Sequence, residues 1–149
     1  MVYSMEYQKI DNKIFVRLDR GDEIISSVLS ICKAEGVHSA TFTGIGGCSE
    51  VLKLTYRPTS DAYEEHLMKE VLDIALIHGN ITTDTTGTLC HHTHSVMTYT
   101  KENNQTEILA GHTLRVIVSY AAEITITPLS QTIIRTVDPE NGAQIWHFD

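Results

Sequence analysis

The 149-residue sequence predicts an α+β fold in which one main helix flanks a curved, mostly antiparallel β-sheet. One stretch alone repeats apolar residues at helical spacing, whereas most other apolar residues lie in β-branched segments separated by turn signals. The length matches a single domain, which we place over residues 1–149, and it is sufficient to bury a core without disulfides.

The first predicted elements are a strand and the main helix. Residues 13–18 predict the strand, and a turn at residues 19–22 leads into the helix. Acidic residues precede the helix where its dipole favours anions, and Gly36 predicts its end. The apolar face of the helix is marked by three residues at helical spacing: Ile24, Val28 and Cys32.

A glycine cluster, residues 44–47, follows a strand predicted at residues 39–43. The cluster matches neither a dinucleotide-binding fingerprint nor a P-loop, because no lysine follows it and residues 49–57 are strand-like. We therefore interpret the glycines as a tight connection between strands or a close contact between subunits.

The rest of the chain is predicted to be strands joined by turns. A turn at residues 58–61 joins the first two strands into a hairpin, and a turn at residues 138–142 precedes the last strand. The predicted strands cover residues 51–56, 63–68, 71–81, 89–96, 114–126 and 143–148.

Composition restricts the partners and the compartment. The formal charge is −8, and eleven basic residues are scattered among nineteen acidic ones, which disfavours direct DNA binding. No uncharged run approaches the ~20 residues that span a bilayer, and residues 1–6 carry no targeting signal, so we expect no membrane contact and a cytoplasmic location. The three cysteines lack CxxC spacing and indicate reduced thiols.

Three histidines form the strongest functional pattern. His92 and His94 are two apart in a predicted strand, so their side chains project from the same face. The polar segment 101–106 predicts a turn that returns the chain antiparallel, which brings His112 beside the pair. Three imidazoles with an open fourth position suit a catalytic or ligand-binding zinc ion, and imidazole also suits nickel, copper and iron.

Alternatives to this ligand set stay open at this point. The paired histidines alone are also compatible with two surface residues, and His91 faces the other side of the strand. His78 is a candidate fourth ligand or a donor behind the site, with a structural hydrogen-bonded role as the alternative. Cys90 shares the face of His92 and is an alternative thiolate ligand.

Five short motifs occur in a characteristic order: Arg17–Asp22, Thr43–Gly46, His78–Ile81, His92–His94 and Ala110–His112. In this order they resemble the PPC domain of plants and prokaryotes, which occurs beside AT-hook motifs in plant nuclear proteins. The resemblance covers about residues 15–129 and leaves residues 130–149 unexplained. This chain contains no AT-hook core of Gly-Arg-Pro between basic residues, so it resembles the stand-alone prokaryotic type.

The resemblance implies a homotrimer and a histidine metal site. Prokaryotic members carry the HxH pair and a later Gly-His, which correspond here to His92, His94 and His112. Where the family usually has Gly-Gly-His-Leu, this chain has Ala110-Gly111-His112-Thr113, which keeps the ligand but loses one glycine. The fold is also similar to acetolactate decarboxylase and a zinc-dependent ester hydrolase, which bind zinc through the same kind of histidine set.

Two classes of function follow from the resemblance. In the first, the protein is a homotrimeric module that binds a divalent metal, zinc before nickel or iron, with a regulatory or DNA-associated role. In the second, it is a metal-dependent hydrolase or decarboxylase acting on a small carbonyl or ester ligand at the metal. For the second class Glu123 is the candidate catalytic base, because it is an acidic residue in an otherwise apolar strand. A buried salt bridge or an interface carboxylate is its alternative role.

Overall fold

A computed structural model describes residues 5–149 as nine strands and one α-helix. Residues 1–4, on which the expectation of no targeting signal partly rests, lie outside the described residues. The helix is α1 (Ile24–Ala34), and no helix among the described residues is long and apolar enough to cross a membrane. The strands are β1 (Glu6–Ile10), β2 (Lys13–Asp19), β3 (Ala40–Arg57), β4 (Ala62–Met68), β5 (Leu72–Asp84), β6 (Leu89–Thr100), β7 (Thr106–Pro128), β8 (Ile134–Val137) and β9 (Gln144–His147).

Helix α1 begins at a carboxylate cap. Glu23 accepts hydrogen bonds from the backbone N–H groups of Ile25, at 3.1 Å, and Ser26, at 2.6 Å. The same carboxylate accepts a third bond from the N–H of Val116 on β7, at 2.9 Å, so it also fixes the helix to the sheet. The predicted helix is confirmed, and its apolar face is buried against the sheet through Ile24, Ile25, Val28, Ile31 and Cys32.

Four strands pair in a closed circuit. Antiparallel ladders join β3 to β5, β5 to β6, β6 to β7 and β7 back to β3. Strands β2 and β4 extend the sheet from β7 and β3, whereas β8 adds to β5 in parallel. The α+β prediction of one helix against a mostly antiparallel sheet is confirmed, with the sheet mixed because of β8.

The structure does not place the glycine cluster in a connection between two strands, as one of its two predicted roles required. Residues 44–47 lie inside the continuous strand β3, which pairs with β5 on one side and β7 on the other through local bulges. A Cβ on Gly46 would lie 2.5 Å from the carbonyl oxygen of Ala121, and its φ of +156° is one that other residues rarely adopt. The glycine therefore permits β7 to approach β3 closely within one chain.

Two strands were not expected from the sequence. Strand β1 is exposed along its whole length and so carries no apolar alternation, and β8 has only four residues. With β9, strand β8 forms a C-terminal hairpin that packs beside β5 at residues 83 and 84.

Candidate metal centre

The register of β6 and β7 brings three histidines together. His92 and His94 share one face of β6, and His112 on β7 lies directly opposite His94. The potential ligand atoms of the three residues all lie within 4.8 Å of one another, and their ring centroids are 5.1–5.4 Å apart. The arrangement predicted from strand parity and the hairpin is therefore present.

The cluster has the composition and size that a metal ion requires. Zinc binds imidazole nitrogen at about 2.0–2.1 Å, which places tetrahedral ligand atoms about 3.3 Å apart. The potential ligand atoms lie within 4.8 Å of one another, an upper limit somewhat longer than this separation. Three nitrogen donors leave one tetrahedral position for water or another ligand, as in ligand-binding zinc sites.

His92 and His112 are half-buried and His94 is exposed, and the partial desolvation of the three imidazoles favours the neutral form that binds a metal. Desolvation is the largest cause of the lowered pKa of His92, His94 and His112. Electrostatic interactions with His78 and Lys53 lower the pKa of His94 further. The nitrogen lone pairs are thus available near neutral pH.

Lys53 is a buried cation behind the histidines that sequence reasoning missed. It is 3% exposed, and its Nζ donates to the carbonyl oxygen of Ser95 at 3.3 Å. Burial lowers the pKa of Lys53 to about 8, against a smaller opposite effect of Cys48. The only feature of the sequence that indicates its burial is its position two residues after the buried Val51, on the inward face of β3.

Buried hydroxyl groups hold the two histidine-bearing strands together. Ser95, which follows His94, shares a 2.7 Å hydrogen bond with Thr113, which follows His112. Thr113 also donates to the carbonyl oxygen of Gly111 at 2.9 Å. Because both hydroxyl groups are paired inside the sheet, the histidines on the other face keep their register.

The C-terminal hairpin contributes a second buried cation. Arg135 is 6% exposed and donates to Thr82 Oγ1 at 3.0 Å, the carbonyl oxygen of Gln144 at 3.0 Å and Asn80 Oδ1 at 2.7 Å. Asn80 Oδ1 also accepts from Trp146 Nε1 at 3.4 Å.

A cavity of about 240 Å³ adjoins the histidines. Its walls include His78, Asn80, His92, His94 and Trp146. A larger cavity of about 820 Å³ lies elsewhere, between β1, β2 and β7, and is lined by Arg17 and Glu123. We place the site at the smaller cavity, because two of the three potential metal ligands, His92 and His94, line it.

Glu123 does not reach the histidine cluster within one chain. It is exposed on the part of β7 that pairs with Arg17 of β2 and Ile45 of β3, whereas His112 lies on the part that pairs with β6. Its catalytic role stays a prediction.

The other sequence candidates lie around the cluster. His78, on β5, faces the same side as its β6 partner His94 but lies outside the close group of ligand atoms. His91 is on the opposite face, as strand parity predicts, where its Nδ1 lies 2.9 Å from Thr93 Oγ1. Cys90 contacts Thr82, with Sγ 3.3 Å from Oγ1, and is not gathered with the histidines.

Comparison with known proteins gives a family match. The sequence profile of the Plants and Prokaryotes Conserved (PCC) domain matches residues 5–130. No curated protein matches the chain.

Solved structures with the same fold include a Bacteroides thetaiotaomicron protein provisionally described as DNA-binding. It is 29% identical, covers 98% of this chain and 99% of its own, and has a TM-score of 0.86. A metal-containing protein from Archaeoglobus fulgidus is 23% identical over 99% of both chains, with a TM-score of 0.79. The α-acetolactate decarboxylase of Bacillus subtilis is 12% identical over 86% of this chain and 57% of its own, with a TM-score of 0.52.

Proposed function

Because the chain belongs to the Plants and Prokaryotes Conserved domain family, the PPC family that its motifs predict, we propose that it is a metal-binding protein. His92, His94 and His112 bind one divalent metal ion, with zinc as the first expectation and nickel or iron as alternatives. The observation that carries the proposal is the convergence of three potential ligand atoms within 4.8 Å of one another.

Two further observations support a metal at this place. The pKa values of the three histidines are lowered, so protons compete weakly with a metal near neutral pH. The Archaeoglobus fulgidus protein of the same fold is described as metal-containing.

Elemental analysis of the purified, untagged protein tests the proposal. We expect about one metal ion per chain, and loss of the metal in the double variant His92→Ala, His94→Ala. The matched control is His38→Ala, His66→Ala, which removes two exposed histidines outside the cluster and should keep the metal. Absence of metal from the wild-type protein after incubation with zinc and with nickel would refute the proposal.

We also propose that residues 1–149 form one domain with a curved sheet and that three copies assemble as a homotrimer. The closed circuit of β3, β5, β6 and β7 supports the curvature, because flat sheets cannot pair in a ring. Light scattering on the metal-loaded and chelated protein tests the trimer. A mass equal to one or two chains in both states would exclude it.

The proposed role of the metal-binding module is regulatory. The Bacteroides thetaiotaomicron protein is provisionally described as DNA-binding, but the net charge of −8 opposes direct contact between this chain and phosphates. Fluorescence anisotropy with duplex DNA at two salt concentrations distinguishes the two roles. Tight binding that weakens steeply with salt would establish direct DNA contact, and its absence would favour association through another protein.

A metal-dependent hydrolase or decarboxylase is the second candidate function. The cavity of about 240 Å³ beside the histidines favours it, because a substrate there would be next to an open metal position. When bound, zinc would lower the pKa of a water ligand or polarise a carbonyl group. Turnover of small esters or keto acids by metal-loaded protein, absent from the double histidine variant, would establish this function. Glu123 is the proposed general base, a role that requires a second copy of the chain to bring this carboxylate to the cavity.

A further inference from the structure

The wall of the histidine cavity includes a segment beyond the family match. The PCC profile ends at residue 130, and the β8–β9 hairpin follows it. Trp146, on β9, lines the cavity together with His92 and His94. Trp146 is 46% exposed, so part of its apolar surface remains available to a bound molecule.

The same hairpin places behind the cavity a positive charge that no acidic side chain among residues 5–149 pairs with. The three acceptors of Arg135 are a hydroxyl group, a backbone carbonyl and the Asn80 side-chain amide, and none of them is charged. The guanidinium lies close enough to His92 to contribute to its lowered pKa. A buried cation without an anionic partner is costly, so a negative charge entering the cavity is favoured.

Two donors fix the orientation of the Asn80 amide. Its Oδ1 accepts from both Arg135 Nη2 and Trp146 Nε1, which occupies both lone pairs. Its Nδ2 group has no acceptor among residues 5–149, and the residue lines the cavity directly opposite His92 in the β5–β6 ladder. Asn80 therefore offers two N–H donors to the oxygen atoms of a ligand beside the proposed metal.

We propose that the cavity binds a small organic carboxylate, with the Asn80 amide donating to a carboxylate oxygen and Trp146 contacting the apolar part. The inference rests on the proposed metal site, whose cation adds to the positive charge. No acidic side chain lines the cavity among the described residues, so a carboxylate meets no repulsion there. Trp146 favours an organic anion over an inorganic one, because an indole face adds apolar contact and no charge.

The fluorescence of Trp146, the only tryptophan of the chain, reports binding in zinc-loaded protein. Three probes separate the contributions. Benzoate has a carboxylate and a flat apolar group, benzamide has the same shape without the charge, and inorganic phosphate is an oxyanion without an apolar group. We expect a saturable change with benzoate, at concentrations at least about tenfold lower than with either other probe. Equal binding of benzamide would overturn the charge requirement, and tighter binding of phosphate would assign an inorganic oxyanion.

A nearly isosteric variant tests the amide itself. Asn80→Asp keeps an oxygen facing Arg135 and Trp146 but replaces the N–H donors with a negative charge, so benzoate affinity should fall at least about tenfold. Asn12→Asp makes the same charge change in the exposed turn between β1 and β2 and should bind benzoate like the wild-type protein. Wild-type affinity in Asn80→Asp would overturn the inference.

Elemental analysis of the same samples separates the two possible failures. Zinc present without benzoate binding would overturn the carboxylate site alone. Zinc absent from the wild-type protein would remove the metal proposal and this inference with it.

Discussion

His94 and His112 lie directly opposite each other on β6 and β7, with ring centroids 5.4 Å apart. The ladder that aligns them runs without a bulge from the pair Thr100 and Thr106 beside the turn. A slip of one residue would move His112 to the other face of the sheet, away from His92 and His94. The short turn at residues 101–105 therefore determines whether the three histidines can meet.

Removal of His112 should abolish tight metal binding, because two imidazoles remain and the third ligand comes from another strand. We expect the affinity of His112→Ala for zinc to fall by more than the about 10- to 100-fold loss typical of an outer-shell partner. Competition with a chromophoric chelator measures this affinity. His66→Ala, on the exposed strand β4, is the control, and equal affinities in the two variants would contradict the proposed ligand set.

Acidification should destabilise the metal-free protein through the histidine cluster. The pKa values of His92, His94 and His112 lie below the ordinary value of 6.5 in the folded state, so the unfolded chain binds more protons as the pH falls through that value. The free energy of unfolding should therefore decrease from about pH 7.5 to about pH 5.5. Urea titrations measure the slope, which should be smaller in the triple alanine variant of the cluster. Equal slopes would assign the pH dependence to other groups.

Replacement of Lys53 by methionine should stabilise the protein at neutral pH. The pKa of Lys53 is lowered from 10.5 to about 8, so carrying the charge in the folded state costs roughly 3 kcal/mol. Loss of the hydrogen bond to Ser95 removes about 1 kcal/mol, which leaves a gain of about 2 kcal/mol in the free energy of unfolding.

The stability difference between the wild-type protein and Lys53→Met should also change with pH. Between about pH 8 and 10.5 the unfolded chain binds the extra proton, so the wild-type protein gains stability as the pH rises and the difference from Lys53→Met shrinks. Lys13→Met, at the exposed start of β2, is the control and should change stability little. A Lys53→Met protein less stable than the wild type at pH 7 would contradict the expected cost of burying this charge.

The local part of the metal site could be predicted from the sequence, and the long-range part could not. Residues two apart in a strand share a face, and a polar turn implies a hairpin, so His92, His94 and His112 followed from local rules. Trp146 approaches the site through the pairing of β8 with β5, which joins segments about fifty residues apart and has no local signal.

Lys53 and the glycine cluster were missed for a different reason. Lysine is rarely buried, so residue type alone predicts that Lys53 lies on the surface. Its position on the inward face of β3 instead buries it. The glycines interrupt the apolar alternation, so β3 was expected to be two strands. The close approach of β7 at Ala121 and Ala122, which only the tertiary structure contains, is what makes glycine suitable inside one strand.

Replacement of Glu123 should affect catalysis without affecting metal binding. The residue pairs with Arg17 and Ile45 in the neighbouring strands and lines a different cavity from the histidines, so Glu123→Gln should leave the metal content at the wild-type level. If metal-loaded protein hydrolyses or decarboxylates a substrate, a general base at Glu123 predicts that Glu123→Gln loses about 100-fold or more in kcat with little change in zinc affinity.

Because one chain does not bring this carboxylate to the cavity, such a loss would require a second copy of the chain at the site. Mixing Glu123→Gln with His112→Ala protein tests that requirement, since chains that share sites would recover part of the activity that each variant lacks alone. Full activity of Glu123→Gln would remove the residue from the catalytic machinery and leave the metal site intact.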